Sequence, residues 1–427
     1  MFRKLSFIVF IYLIGWNCLS AMPAPQAHAK YQLSKVLVLS RHNIRSPVAG
    51  NDSELARMTT HPWFKWTSGT SELSLLGGQL ETLMGQYFRK WLVSEGFMQE
   101  NERPAKHQMR FYANSKQRTI ATTQYFFSGM LPVANMRIEY RAAFDQMDPV
   151  FTPGITFSSE AFNRQAFEQI DEMGGEKGIQ GIEESLAPGY QLVEDTLDFS
   201  ASPLAKEQQM PHFRTGDWQI RFTKGEEPFL SGSLKLAMKA ADALILQYYE
   251  QPDDEKATWG KHLTTEQWEK VAYVKDMYVD VLVTPPSLAV HVAHPLLKEM
   301  YKEMNNKHRK FTFLCGHDSN LASVLAALQA VPYELPNAIE KKTPIGSKLV
   351  ITKWVDKDGT EYASLDLIYQ SVQQLRERQT LSLDNPPQVF NLQLKGLISN
   401  ADGLYKWSDV QERFEKAIAA YKQLPRD

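Results

Sequence analysis

A short apolar segment that ends in charged residues constrains the fold of this chain more than any other feature. Residues 35–39 (KVLVL) form an apolar run with β-branched members, which is typical of a buried strand. The run continues directly into residues 40–47 (SRHNIRSP). Open α/β sheets bind ligands beyond the carboxyl ends of their strands. Arg41 and Arg45 beside His42 therefore predict a phosphate site, because the arginine fork matches phosphate oxygens. The alternative is a surface turn with three unrelated charges.

A second predicted strand ends in a similar way. Residues 109–113 (MRFYA) are buried-strand-like, and a helix is predicted over residues 119–130 with Ser115 as its N-cap. Arg118 then lies at a strand-to-helix junction. The free N–H groups of a helix N-terminus also favour anions. Arg118 thus adds a third arginine at a second strand end.

A third predicted strand over residues 310–315 (KFTFLC) runs into His317 and Asp318, ahead of a predicted helix over residues 321–329. Capping of that helix is the alternative role of Asp318. The three strand ends together carry the groups that phosphoryl transfer through a covalent histidine requires: cations for the phosphate oxygens, a neutral imidazole and an acid for the leaving alcohol. The candidate residues are Arg41, His42, Arg45, Arg118, His317 and Asp318.

Strand signals fade between residues 147 and 279, where helical segments and Gly/Pro-rich loops dominate. Helices of this region are predicted over residues 160–173, 231–249 and 265–279. We therefore predict an α/β core of residues 30–146 and 280–427, with residues 147–279 as a mostly helical insertion. The core is predicted to be a mainly parallel sheet with helices on both faces. A β-hairpin is predicted over residues 348–354 and 362–370.

The first residues predict an export signal and not part of the fold. Arg3 and Lys4 precede an apolar stretch over residues 5–19, which is short for a membrane span. A signal peptide is predicted over residues 1–29, with cleavage after Ala21 or Ala29, and export to the periplasm follows from it. An uncleaved anchor is the alternative. The two cysteines are Cys18, in the signal, and Cys315, so the mature chain is predicted to have no intrachain disulfide.

Composition excludes several classes of partner. The formal charge of −2 over 427 residues gives no basic domain, so no nucleic-acid partner is predicted. No later stretch is long and apolar enough to span a bilayer, and the mature form is predicted to have no membrane partner. The sequence shows no cluster with metal-ligand spacing, so no metal and no cofactor are predicted. The oligomeric state is left open.

The spacing Arg41-His42-x-x-Arg45-x-Pro47 with the distal Gly316-His317-Asp318 resembles the histidine acid phosphatase family of the phosphoglycerate-mutase-like superfamily. The resemblance extends to the group of that family that hydrolyses glucose 1-phosphate in the bacterial periplasm. Asn43 stands where the phytases of this family usually carry Gly. The further stretches that carry the resemblance are LLGGQLETLMGQYFRKWL, YANSKQRT, MDPVFTP, LQYYE, CGHDSN and KTPIG.

The resemblance implies a role for each candidate residue. His42 is implied as the nucleophile that becomes phosphohistidine, and Asp318 as the proton donor and then the base for water. Glu250, in LQYYE, is implied as a carboxylate that faces sugar hydroxyls, although from the residues alone it is a solvated helix end. The implied phosphate ligands are Arg41, Arg45, Arg118 and His317.

The expected function is hydrolysis of a small phosphate ester, with glucose 1-phosphate as the first candidate. A phytase is the alternative among enzymes, although a phytate pocket should need more Lys and Arg than the sequence offers. An alternative of another class is a phosphosugar-binding protein without turnover. The presence of both His42 and Asp318 disfavours that alternative.

Overall fold

The computed structural model of the protein describes residues 30–48 and 53–426. The predicted signal peptide, with Cys18, lies outside the described residues. The strands in these ranges are β1 (Tyr31–Arg41), β2 (Met109–Ala113), β3 (Gln219–Arg221), β4 (Phe229–Ser231), β5 (Phe311–Gly316), β6 (Lys348–Asp356), β7 (Glu361–Tyr369), β8 (Gln388–Asn391) and β9 (Tyr405–Lys406).

Helices surround the strands in the described part of the chain. The α-helices are α1 (Leu75–Ser94), α2 (Gln117–Met130), α3 (Glu160–Glu172), α4 (Ile179–Leu197), α5 (Pro203–Gln208), α6 (Ser233–Glu250), α7 (Asp254–Ala257), α8 (Thr265–Val283), α9 (Pro286–Asn305), α10 (Asp318–Ala327), α11 (Val372–Arg376) and α12 (Trp407–Ala420). Short 3-10 helices lie at Leu55–Arg57, Gly175–Lys177, Phe199–Ala201 and Tyr421–Gln423.

The main sheet has the strand order β2-β5-β1-β6-β7-β8, with β9 paired to β7. The pairs β2–β5 and β5–β1 are parallel, whereas β6 pairs antiparallel with β1 and β7 pairs antiparallel with β6, β8 and β9. The predicted α/β class is confirmed. The parallel arrangement is found in the three strands that end in the candidate residues, and β6 and β7 form the predicted hairpin.

The register of the parallel strands brings their carboxyl ends together. Arg41 at the end of β1 pairs with Gly316 at the end of β5, and Ala113 at the end of β2 pairs with Cys315. Residues that follow these three strands therefore emerge side by side at one edge of the sheet. This edge is where parallel α/β sheets place their ligands.

Both faces of the sheet are buried under helices. Val36 and Val38 of β1 pack in the core formed with α1 and α2, whereas Leu37 and Leu39 pack in the core formed with α9, α10 and α12. Burial of one such side chain contributes about 1.5–3 kcal/mol, so this alternation fixes the strand register. Cys315 is a free, buried thiol in the first of these cores, and burial raises its pKa to about 12.

Helices α3, α4, α6 and α8 pack around a third apolar core. The proposed division of the chain at residues 146 and 279 stays a prediction. Three predicted helix starts shift: α6 begins at Ser233, α10 begins at Asp318, and α2 begins at Gln117 with Lys116, not Ser115, as its N-cap. The Ser115 hydroxyl accepts the Ala142 N–H instead of an N–H group of the helix. None of the helices in the two described ranges could cross a bilayer by its length and apolarity.

Candidate active site

His42 follows the last residue of β1 and is buried at the sheet edge. Its backbone N–H donates to the Gly316 carbonyl over 3.0 Å, which ties it to the end of β5. Its ring Nδ1 lies 2.9 Å from the carbonyl oxygen of Asn43. A carbonyl can only accept, so Nδ1 carries the proton and Nε2 has its lone pair exposed for attack.

His317 is oriented by Asn114, a residue that the sequence analysis did not select. The Asn114 Oδ1 accepts the backbone N–H groups of Ser115 and Asp148, both over 2.8 Å. Its amide Nδ2 must then donate to His317 Nε2, at 2.7 Å. The Nδ1 of His317 therefore carries the proton and faces Arg118 Nη2 over 3.4 Å. Two donors that converge in this way suit an anionic oxygen placed between them.

Two arginines of the motif are each held by a buried carboxylate. Arg45 Nη2 donates to Asp242 of α6 over 2.9 Å, and Arg41 Nη1 donates to Glu340 over 2.6 Å. Arg118 has no carboxylate within 4.0 Å in the described part of the chain, and Asp318, Asp145 and Asp242 act on its charge only from a greater distance. The Nε atoms of all three guanidinium groups are buried without a hydrogen-bond partner among the described residues.

Asp318 opens helix α10 beside two cations. Its Oδ2 lies 3.4 Å from Arg41 Nη2 and 3.3 Å from Lys275 Nζ of α8. Gly316 precedes the pair His317-Asp318, and a Cβ at Gly316 would lie 2.3 Å from the Asn320 Oδ1. Only glycine allows β5 to pass this close to the first turn of α10. The sheet edge and the helix N-terminus therefore place the two residues at the same point.

Buried positive charge sets the protonation states of the site. Burial and the charges of Arg118 and Arg45 hold the pKa of His42 well below its usual range. Burial and Arg118 lower the pKa of His317 in the same way. Burial alone would raise the pKa of Asp318, but Arg41 and Lys275 hold it well below its usual range. Both imidazoles are therefore neutral and the carboxylate is ionised in the protein without ligand.

A cavity of about 570 Å³ opens over this group. Its floor is formed by His42, Arg45, Arg118, His317 and Asp318. Most of its wall residues lie between 227 and 283, and they include Glu227, Lys235, Met238, Lys239, Asp242, Lys275, Tyr278 and Val279. Pro47, Val48, Leu55, Met147 and Pro153 also line the cavity. In the described ranges no group of three or more His, Cys, Asp or Glu side chains could hold a metal ion.

Two predicted ligands lie outside the cavity lining. Arg41 sits behind Asp318, with its guanidinium also donating to the Thr343 carbonyl over 2.6 Å. Glu250 lies at the end of α6 and accepts a hydrogen bond from the Ser74 hydroxyl over 2.8 Å. Ser74 caps α1 and is bonded to the Ile44 carbonyl, so Glu250 supports the motif loop from outside. The structure gives no support for contact between Glu250 and a sugar.

Comparison with known proteins places this site in a family. The model of the histidine phosphatase superfamily (branch 2) matches residues 32–370. The chain belongs to this superfamily. This histidine phosphatase is 35% identical to a glucose-1-phosphatase of Providencia rettgeri over 95% of its own length and 99% of that protein. It is 37% identical to a glucose-1-phosphatase of Salmonella typhimurium, over 90% of its length and 92% of that protein.

A solved structure shares the fold of this histidine phosphatase. The phytase of Hafnia alvei in its apo form superimposes with a TM-score of 0.84 and 25% identity, covering 94% of this chain and all of that one. The family and these relatives make the protein a phosphatase hydrolase. Both glucose-1-phosphatases and a phytase are represented among these relatives.

Proposed function

We propose that this histidine phosphatase hydrolyses glucose 1-phosphate through a phosphohistidine at His42. The convergence of His42, Arg45, Arg118, His317 and Asp318 on one cavity floor is the observation that carries the proposal. Arg45, Arg118 and the His317 Nδ1–H bind the phosphate oxygens. Arg41 acts from behind the floor through its charge, because Glu340 and the Thr343 carbonyl hold its guanidinium.

In the first step the Nε2 of His42 attacks the phosphorus atom and the bond from phosphorus to the sugar oxygen breaks. Asp318 gives its proton to the departing oxygen. A bound phosphate brings negative charge beside Asp318, which disfavours the ionised carboxylate and so raises the pKa of Asp318 in the complex. The carboxyl group can therefore carry a proton when substrate is present.

In the second step water attacks the phosphohistidine. The ionised Asp318 takes a proton from the water, the bond from phosphorus to Nε2 breaks and inorganic phosphate leaves. His42 returns to its starting state with Nδ1 still donating to the Asn43 carbonyl. Because the pKa of His42 is depressed, the imidazole stays neutral in acidic solution, which suits an acid phosphatase.

The cavity wall supports a small hydroxylated leaving group. Glu227 is a solvent-exposed carboxylate in this wall, and Tyr278, Met238 and Val279 add hydrogen-bonding and apolar surface. A carboxylate accepts hydrogen bonds from sugar hydroxyls. The same charge repels the phosphates of phytate, and it opposes the attraction that Lys235 and Lys239 in this wall exert on them. We therefore assign to Glu227 the sugar-facing role that the sequence analysis gave to Glu250.

We expect kcat/KM to be higher for glucose 1-phosphate than for phytate, and Glu227→Gln to reduce this preference by about tenfold or more. In this variant glucose 1-phosphate loses a hydrogen bond to a charged acceptor, which contributes about 1.5–3 kcal/mol. For phytate the substitution removes a negative charge that repels its phosphates. Rates on a panel of glucose 1-phosphate, other sugar phosphates, phytate and an aryl phosphate measure this. The control is Glu226→Gln, at the exposed neighbouring residue outside the cavity lining. A wild-type preference for phytate would favour the phytase alternative.

We also propose that the protein is exported to the periplasm. The support is the basic start and apolar stretch over residues 5–19, followed by two small-residue cleavage positions. Expression of the full chain in a Gram-negative host should give a periplasmic enzyme that begins at residue 22 or residue 30. Amino-terminal sequencing of the periplasmic fraction measures this. A cytoplasmic or membrane-bound product that begins near residue 1 would contradict export.

A further inference from the structure

Helix α8 places a buried lysine against the proposed proton donor. The side chain of Lys275 is only 3% exposed, and its Nζ lies 3.3 Å from Asp318 Oδ2 and 3.1 Å from Glu340 Oε1. A third carboxylate, Asp276, lies at 3.5 Å. We propose that Lys275 is a positioning residue that controls whether Asp318 carries its proton during catalysis. The proposal rests on the proposed role of Asp318.

Two cations and two carboxylates form a closed group at the edge of the cavity, where Lys275 and Asp318 line it and Arg41 and Glu340 lie behind them. Arg41 and Lys275 both lie close to Glu340 and to Asp318. Glu340 is fully buried and also accepts the Ile345 N–H over 2.9 Å, so it is held as an anion. The charged or titratable groups around Asp318 are Arg41 of β1, Arg118 of α2, Lys275 of α8 and the imidazoles of His42 and His317, together with Glu340 and Asp276, which share Lys275 with it.

Of the two cations nearest to Asp318, Lys275 is the one tied to the substrate wall. Arg41 ends β1 and is fixed by Glu340 and the Thr343 carbonyl. Lys275 lies on the same helix as Tyr278 and Val279, which line the cavity where the leaving group would bind. The helix that contacts the leaving group therefore also carries a cation that stabilises the ionised donor. Loss of the Lys275 charge should let Asp318 hold its proton at higher pH.

The pH dependence of kcat for glucose 1-phosphate tests the inference. In Lys275→Met we expect the alkaline limb of the profile to move up by about one pH unit or more, since removal of an opposite charge at this distance raises a carboxyl pKa by about 1–3 units. Lys275→Arg should keep the limb at its wild-type position. Lys275→Gln is also neutral and is expected to move the limb in the same way, so it can replace the methionine variant if that one does not fold. Lys270→Met, on the exposed side of α8, is the matched control.

Uniform loss of kcat in the neutral variants with an unmoved alkaline limb would overturn the inference and leave Lys275 a purely structural role. Asp318→Asn separates this failure from failure of the proposed function. If Asp318→Asn abolishes the limb while Lys275→Met leaves it unmoved, only the role of Lys275 is wrong. If Asp318→Asn keeps both the wild-type rate and the limb, the donor itself is wrong, and the inference about Lys275 falls with it.

Discussion

Replacement of His42 by alanine is expected to abolish turnover, with a loss in kcat on the order of 10⁵-fold or more, as for removal of a catalytic nucleophile. No other side chain on the cavity floor can replace it. His317 Nε2 is occupied by the Asn114 amide, and its Nδ1 carries a proton. Steady-state rates on glucose 1-phosphate measure the loss. Rapid quench into alkali, in which the bond from phosphorus to nitrogen survives, should trap a ³²P-labelled wild-type enzyme and leave the variant unlabelled.

The binding of inorganic phosphate separates loss of chemistry from loss of the site. Arg45, Arg118 and His317 remain in His42→Ala, so phosphate should still bind the variant within roughly tenfold of its wild-type affinity. The matched control is His308→Ala, at an exposed histidine, which should keep full activity. Turnover by His42→Ala, or a wild-type enzyme that never carries label, would contradict the phosphohistidine mechanism.

The residues of the cavity floor could be predicted from the sequence because each of them lies in a short segment directly after a predicted strand. Each apolar strand ends at a charged or polar junction, and the carboxyl ends of parallel neighbours share one edge. His42, Arg118 and Asp318 are thus brought together by strand pairing, which the pattern of apolar residues specifies. Their roles in catalysis remain proposals until variants are measured.

The walls and supports of the site could not be read in this way, because they depend on contacts between distant segments. Lys275 and Glu340 were not selected, since a lysine inside a helix and a glutamate inside a loop give no local signal of burial. Glu250 has a distinctive local sequence, but its partner Ser74 is remote in the chain. Glu227 lies in a loop whose neighbours Gly225 and Glu226 are hydrogen-bonded to the backbone of Ile155, in a distant part of the chain.

Helix α4 shows the same limit at the level of secondary structure. It was not among the predicted helices, and it contains Pro188 in its interior, where proline removes a helical hydrogen bond. Packing compensates: a Cβ at Gly189 would lie 2.6 Å from the Lys270 carbonyl oxygen, so α4 and α8 approach closely at this glycine. Tertiary burial around α8 therefore overrides a weak local propensity.

Asp318→Asn is expected to lower kcat for glucose 1-phosphate by about 10²–10⁴-fold, the usual contribution of general acid–base catalysis. The amide has nearly the shape of the carboxyl group and can still accept the Ser319 N–H that Asp318 accepts over 2.9 Å. The fold of α10 should thus be kept, as thermal unfolding of the variant can check. What is lost is the proton for the sugar oxygen, which is a poor leaving group without it.

Two substrates with different leaving groups test whether Asp318→Asn is slow because it lacks the proton for the leaving oxygen. An aryl phosphate with a stable phenolate needs little protonation, so formation of phosphohistidine from it should slow far less in Asp318→Asn than formation from glucose 1-phosphate. The second step still lacks its base, and labelled phosphoenzyme should therefore accumulate from the aryl substrate. Equal slowing of phosphoenzyme formation for both substrates would argue against an acid role. In that case the only role of Asp318 would be to neutralise part of the positive charge of Arg41 and Lys275, the two cations that its carboxylate faces.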